Sequence, residues 1–260
     1  MIRHLLRELA DGAAVDPVAS ARKGTKRALR KRFYKQVSVG DSAGGHAVLL
    51  DGKRAKTPAK LPLVLPTRAL ADAVAAEWAA QEAVIDPTRM PLTRLVNIAV
   101  DRVIDESGAV ADDILRYAGS DLVLYRAPQP VALTARQSMI WDSIIAWARE
   151  RFGAHFVVTE GVVFVAQPEA TLAAVRAEIG RFRPPFRLAA LAALTALSGS
   201  ALIALACAHG ALSPEAAWTA AHLEEDWNLQ TWGADADAVA RRTARRAEFD
   251  AAVRMLALVR

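Results

Sequence analysis

The chain has 260 residues, 53% of them hydrophobic and 23% charged, enough for one large unit or two modest ones with a sizeable core. Its net charge of +5 is uneven, because Arg22 to Lys35 holds eight Lys or Arg and no acid, which covers the whole excess. The one cysteine, Cys207, excludes an intramolecular disulfide and a multi-cysteine metal site, and its apolar setting predicts a small buried residue.

The chain opens on MIRHLLRELADG, which has no long apolar run and carries Glu8 and Asp11. That is unlike a secretory signal or a transit peptide, so a cytoplasmic protein is expected. Residues 1–30 are expected to form a solvated basic arm, with nucleic-acid binding through that arm as the alternative. From residue 31 to 66 the pattern is β. YKQVSV alternates up to a Gly-rich turn, HAVLLDG closes on the hairpin signal Asp51-Gly52, KRAKTP is a short third strand, and the Pro-bounded LPLVLP suits only an edge. About forty residues are few for an independent unit, so this small β-rich domain should dock on the rest of the chain.

Residues 67–260 are expected to be mainly helical, which makes the fold class α+β. Thr67 can N-cap a helix with Leu70, Val74, Trp78 and Gln81 on its apolar face, ended by Asp86-Pro87. Met90-Pro91 opens a second helix and Ser107 a third, reaching Tyr117. Thr134 with Gln137 has the spacing of a capping box for a helix bearing Trp141. His155 to Ala166, HFVVTEGVVFVA, has the composition of a hairpin. Leu188 to Ala208 carries no charge and is long enough to span a bilayer, but its Ala content and the Ser198-Gly199-Ser200 break predict two buried helices instead. Helices resume near Pro168, Pro184-Pro185 and Ser213-Pro214, and Asp235 with Asp237 starts the last.

Signatures of catalysis are missing. There is no phosphate loop, no GxGxxG and no HExxH, so neither an enzyme nor a bound cofactor is expected. His222 with Glu225 and Asp226 has the spacing of part of a metal site, and a metal-dependent hydrolase built on His222 and Glu225 is a second alternative. The stretch Trp218 to Trp232, WTAAHLEEDWNLQTW, is the most unusual. Read as one helix, it sets Trp218, His222, Glu225, Leu229 and Trp232 on one face, with Ala216, Ala220, Leu223 and Trp227 beside them. A carboxylate among tryptophans needs a partner, either an internal one such as Arg241 or Arg245, or another molecule.

Several segments in order carry a resemblance: RFYKQVSV, LLDGKRAKTP, LPLVLPT, LADAVAAEWAAQ, IDPTRMPLTRLVNIAVD, YAGSDLVLYR, QSMIWDSIIAWARERFG and LEEDWNLQTWG. Together they resemble the F1-ATPase assembly chaperones that act on the alpha subunit, called ATP synthase mitochondrial F1 complex assembly factor 2 in mitochondria. The resemblance runs from about Arg32 to the C-terminus. It implies a small β-rich domain followed by a larger helical one, and a monomeric, non-enzymatic, cofactor-free chaperone that is not membrane-embedded. Its client would be the unassembled alpha subunit, protected from aggregation until the beta subunit replaces the chaperone. It also implies that the acidic cluster contacts the client, Glu225 first, then Glu224, with Asp226 and the neighbouring Trp232. Trp78, Gln81, Trp227 and Gly233 are expected to be structural members of the same motifs.

Overall fold

A computed structural model of the protein describes residues 29–233 and 235–260. The expected basic arm lies almost wholly outside those residues. After the short strand β1 (Arg30–Lys31), the antiparallel hairpin β2 (Val37–Ser42) and β3 (Gly45–Leu50) forms as expected, with Ser42 opposite Gly45. β4 (Lys53–Arg54) comes next through Asp51 (φ 49°) and Gly52 (φ 75°), the two left-handed residues that a tight hairpin turn demands. β5 (Val64–Leu65) adds to the other end of β3, so the Pro-bounded segment does take an edge.

Helix α1 (Arg68–Ala79) starts where Thr67 Oγ1 accepts the Leu70 amide at 3.2 Å. It ends at Ala79, well before Asp86-Pro87, and the chain runs on through β6 (Val84–Ile85), which pairs with β1. The β-strands lie on α1, where Tyr34, Val48, Leu50, Leu63 and Leu65 share a core with Leu70 and Val74. That same core continues without interruption to Leu256 in the last helix.

The expected second and third helices are one bent rod. α2 (Pro91–Ile98) passes through a π-helical turn, Ala99–Val103, into α3 (Ile104–Gly119). The only non-helical residue inside α3 is Glu106 (φ −116°, ψ 23°), immediately before Ser107. A one-turn 3-10 segment, Leu122–Leu124, then leads into β7 (Tyr125–Arg126). Helix α4 (Val131–Phe152) begins at Pro130 without a side-chain cap, so the expected capping box is absent. Thr134 Oγ1 instead donates to the Ala127 carbonyl at 2.6 Å, and Gln137 Oε1 accepts the Ala127 amide at 2.8 Å. Both side chains hold the incoming loop rather than the helix terminus.

The expected hairpin within His155 to Ala166 is also absent. Two of its residues form β8 (Thr159–Glu160), which pairs in parallel with β7, and the rest is loop. Gln167, buried, bonds both the amide and the carbonyl of Val157, which makes the loop's backbone hydrogen bonds without a second strand.

α5 (Glu169–Ile179) leads to the centre of the molecule, α6 (Pro185–Ser198) and α7 (Ala201–Ala208). Both are buried on nearly every side, which is what a helix apolar all round must do. Gly199 (φ 69°) and the Ser200 cap on the Ile203 amide make the predicted break between them. α6 packs on α2 and α3, and α7 on α4 and on α8 (Pro214–Ala221). α9 (Leu223–Trp232) and α10 (Ala236–Leu258) complete the chain, with α10 lying along α6. Among the described residues no helix is long and apolar enough to cross a membrane. Cys207 is half-buried rather than buried, and desolvation pushes its thiol up to about 11.

Two buried carboxylates tie helices together. Asp121, fully buried, accepts the Val123 amide at 3.3 Å and the Leu202 amide at 3.0 Å, so it joins the start of the 3-10 turn to the start of α7. Burial pushes its carboxyl up to about 6. Glu248 on α10 pairs with Arg94 on α2, and desolvation pushes Glu248 up to about 7 against the pull of that arginine.

Candidate functional site

The stretch from Trp218 to Trp232 is two helices, not one. His222 leaves helical geometry (φ −112°, ψ 20°) and separates α8 from α9. The physical cause is the imidazole, which stacks on Trp218 at 3.8 Å between centroids while Nδ1–H donates to the Trp218 carbonyl at 2.9 Å. Trp218 in turn meets Phe249 of α10 edge-on at 5.4 Å, with Arg246 5.4 Å over its ring. Trp218 and His222 are therefore core, and the single apolar face drawn through them to Trp232 does not exist.

Beyond the break, α9 buries only Leu223. Trp227 and Leu229 are half-buried against the body, and Trp232 is 85% exposed. Gly233 (φ 81°) ends the helix, its amide donating to the Leu229 carbonyl at 2.9 Å. The positive φ explains the glycine.

The three acids of α9 have different partners. Glu224 is exposed, yet one of its oxygens accepts from Gln137 Nε2 at 2.6 Å. Gln137 is fully buried and also accepts the Ala127 amide, so Glu224 is tied through one amide group to the loop before α4. Asp226 pairs closely with Arg242 on α10. Glu225 lies 3.9 Å from both Arg242 and Arg245 and 4.0 Å from His222 Nε2. The internal cations are thus Arg242 and Arg245; of the two expected candidates, Arg245 is present and Arg241 is not. Burial lowers the His222 pKa, so its ring is neutral at pH 7 and contributes no cation to Glu225.

Two concavities flank this helix. One, of about 260 Å³, lies between α9 and α10 and is lined by Trp218, Glu225, Leu229, Val239, Arg242 and Arg246, among others. The other, of about 530 Å³, is walled by Glu224, the 120–128 segment and the 161–162 turn. Among the described residues no group of three or more His, Cys, Asp or Glu could hold a metal ion. The hydrolase alternative finds no geometry to support it, since His222 is committed to Trp218 and stands beside a single carboxylate.

The EW segment has a structural explanation, and it includes a residue that sequence reasoning passed over. Glu77 accepts the amides of Leu92 (2.9 Å) and Thr93 (2.7 Å) and the Thr93 hydroxyl (2.6 Å), which caps α2 from α1. Desolvation raises its pKa against those donors. The Trp78 carbonyl accepts from Tyr34 Oη at 2.7 Å, and the two rings meet edge-on at 5.6 Å. Gln81, buried, accepts the Asp86 amide at 2.7 Å and donates to the Glu77 carbonyl at 3.1 Å. The signal that could have found Glu77 is the bare N-terminus at Met90-Pro91, whose free amides need an acceptor from elsewhere.

This arrangement of strands and helices is shared with solved structures. Residues 31–149 match the family described as ATP12 chaperone protein. The Atu1473 protein of Agrobacterium tumefaciens, a proposed chaperone, is 45% identical at a TM-score of 0.86, covering 100% of this chain and 97% of that one. Atp12 from Paracoccus denitrificans is 39% identical at a TM-score of 0.83, covering 89% of this chain and 99% of that one. A single-substitution variant of that same Paracoccus protein superposes with a TM-score of 0.82, again at 39% identity, over 89% of this chain and 98% of its own. With nearly the full length of relatives at such identity accounted for, the chain belongs to the ATP12 chaperone family.

Proposed function

We propose that this protein is an ATP-independent chaperone that binds the unassembled alpha subunit of F1-ATPase and keeps it from aggregating until the beta subunit takes its place. The choice of client rests on the eight-segment resemblance. The observation that carries the reading onto the surface is α9, a helix that presents three consecutive acids and an 85% exposed tryptophan while burying only Leu223. An unpaired subunit exposes an apolar interface, and a holder of such a surface needs aromatic anchors with a few placed charges. Glu225 first, then Glu224, with Asp226 and Trp232, are the residues assigned to that contact. No catalytic step is part of the reading, and the protein acts as a monomer in the cytoplasm.

The test is a pull-down from host lysate followed by an aggregation assay on purified alpha subunit without nucleotide. Suppression at stoichiometric ratio is expected. If a stoichiometric excess leaves aggregation of the alpha subunit unchanged, the reading fails. Glu225→Gln refines it, because the substitution should weaken client binding about tenfold while thermal stability holds. A parallel fall in stability would make Glu225 an internal strut.

A further inference from the structure

The segment expected to be a hairpin instead projects three consecutive large apolar side chains into water. Val162 is 96% exposed, Val163 73% and Phe164 65%. Such a run at a loop tip is unusual in a soluble surface unless something covers it. The tip adjoins the groove of about 530 Å³, whose lining includes Leu122, Tyr125, Ala127, Pro128, Val162 and Glu224. β7 lines the groove through Tyr125 and Arg126, and no other strand extends its parallel ladder with β8 among the described residues.

The charge of the groove is one-sided. Arg126 also lines it, but its guanidinium is turned inward onto the Val123 carbonyl, Asp142 and the face of Trp141, and the residue is only 7% exposed. Glu224 is the exposed charge, held in place at the wall by buried Gln137. An apolar channel beside an unextended ladder, with one fixed carboxylate, suits an extended segment whose apolar side chains flank a Lys or Arg.

Resting on the chaperone reading above, the geometry points to this groove and the Val162–Phe164 tip as the place where an extended, apolar, singly basic segment of the client docks. α9 thereby serves two surfaces, with Glu224 facing the groove and Trp232 lying outside it. The segment adds alongside β7 or β8, its cation meets Glu224, and its apolar side chains cover Val162 and Phe164.

Two probes on the full-length protein test this. The first is a capped peptide, Val-Leu-Lys-Leu-Val, read by fluorescence polarisation against the same peptide with Glu in place of Lys. At least tenfold tighter binding of the Lys peptide is expected, lost in Glu224→Gln, which keeps the acceptor for Gln137, and in Val162→Asp/Phe164→Asp. Equal binding of both peptides, or none, overturns the inference. The second is hydrogen exchange with purified alpha subunit, where slowed exchange at 121–128 and 157–166 is expected. A complex that protects only α9 and α10, with the double variant binding as wild type, overturns the groove assignment and leaves the chaperone intact. Failure of the wild type to form any complex with the alpha subunit, while the Lys peptide still binds at the groove, overturns the choice of client instead. The substituted side chains are exposed, so an unchanged melting temperature confirms that the variants fold.

Discussion

Asp121 offers the sharpest check on the packing, because its environment gives a pH dependence of known sign. The residue is fully buried and held by the Val123 and Leu202 amides and the Ser200 hydroxyl. Desolvation outweighs those donors and pushes its carboxyl from 3.8 to about 6. The folded state therefore holds a proton that the unfolded chain releases. The resulting stability is fully present below the unfolded value near 3.8 and is lost as pH rises through about 6. A change from 3.8 to about 6 corresponds to about 3 kcal/mol, of which about 2 kcal/mol falls between pH values of about 4.5 and 7.5. Asp121→Asn keeps the shape and cannot titrate, so other groups cancel when the two proteins are compared. Urea denaturation across that range should show wild type losing about 2 kcal/mol relative to the variant as pH rises. A difference that stays flat, or changes in the opposite direction, would refute the desolvation of this carboxylate.

Glu77→Ala strips the cap from α2 and leaves two amides and the Thr93 hydroxyl without their acceptor, so a loss of about 2–3 kcal/mol is expected in chemical denaturation. A variant within about 0.5 kcal/mol of wild type would mean that water replaces the carboxylate. Trp141, fully buried, donates from Nε1 to the Ala220 carbonyl at 2.9 Å and so joins α4 to α8. Trp141→Ala should cost about 4 kcal/mol and Trp141→Phe about 1–2 kcal/mol, both read as shifts of the urea midpoint. Equal costs for the two would contradict the separate contributions assigned to cavity volume and to the hydrogen bond.

Where an element was decided by neighbours in the chain, it was legible. The Thr67 cap, the Asp51-Gly52 turn, the Ser198-Gly199-Ser200 break and the Ser213 cap each depend on residues within a few positions, and each is present. The misread elements depend on tertiary contacts that residue spacing does not show. His222 carries no helix-breaking propensity of its own, yet its ring leaves the helix to stack on Trp218, which Phe249 of α10 meets edge-on. Thr134 and Gln137 have the spacing of a capping box but spend their hydrogen bonds on Ala127 and Glu224. The segment after His155 has the β character of a hairpin, while its one strand, Thr159–Glu160, pairs with Tyr125–Arg126, more than thirty positions earlier. Of the site, the acidic residues were visible as a cluster. Their division of labour was not, because it depends on which arginine of α10 faces which carboxylate.

That division has a thermodynamic consequence. Asp226 and Glu225 already face Arg242 and Arg245, so a client that brings its own cations to them exchanges one set of ion pairs for another and does not create new ones. The electrostatic gain on binding is then the difference between the two sets of pairs and not the full worth of the new one, and dissociation restores the original pairs. Charge then selects the partner while leaving its residence short. Under the proposed function such an exchange suits a holder that must surrender its subunit to a rival surface, because charge can select the partner without adding much to its hold.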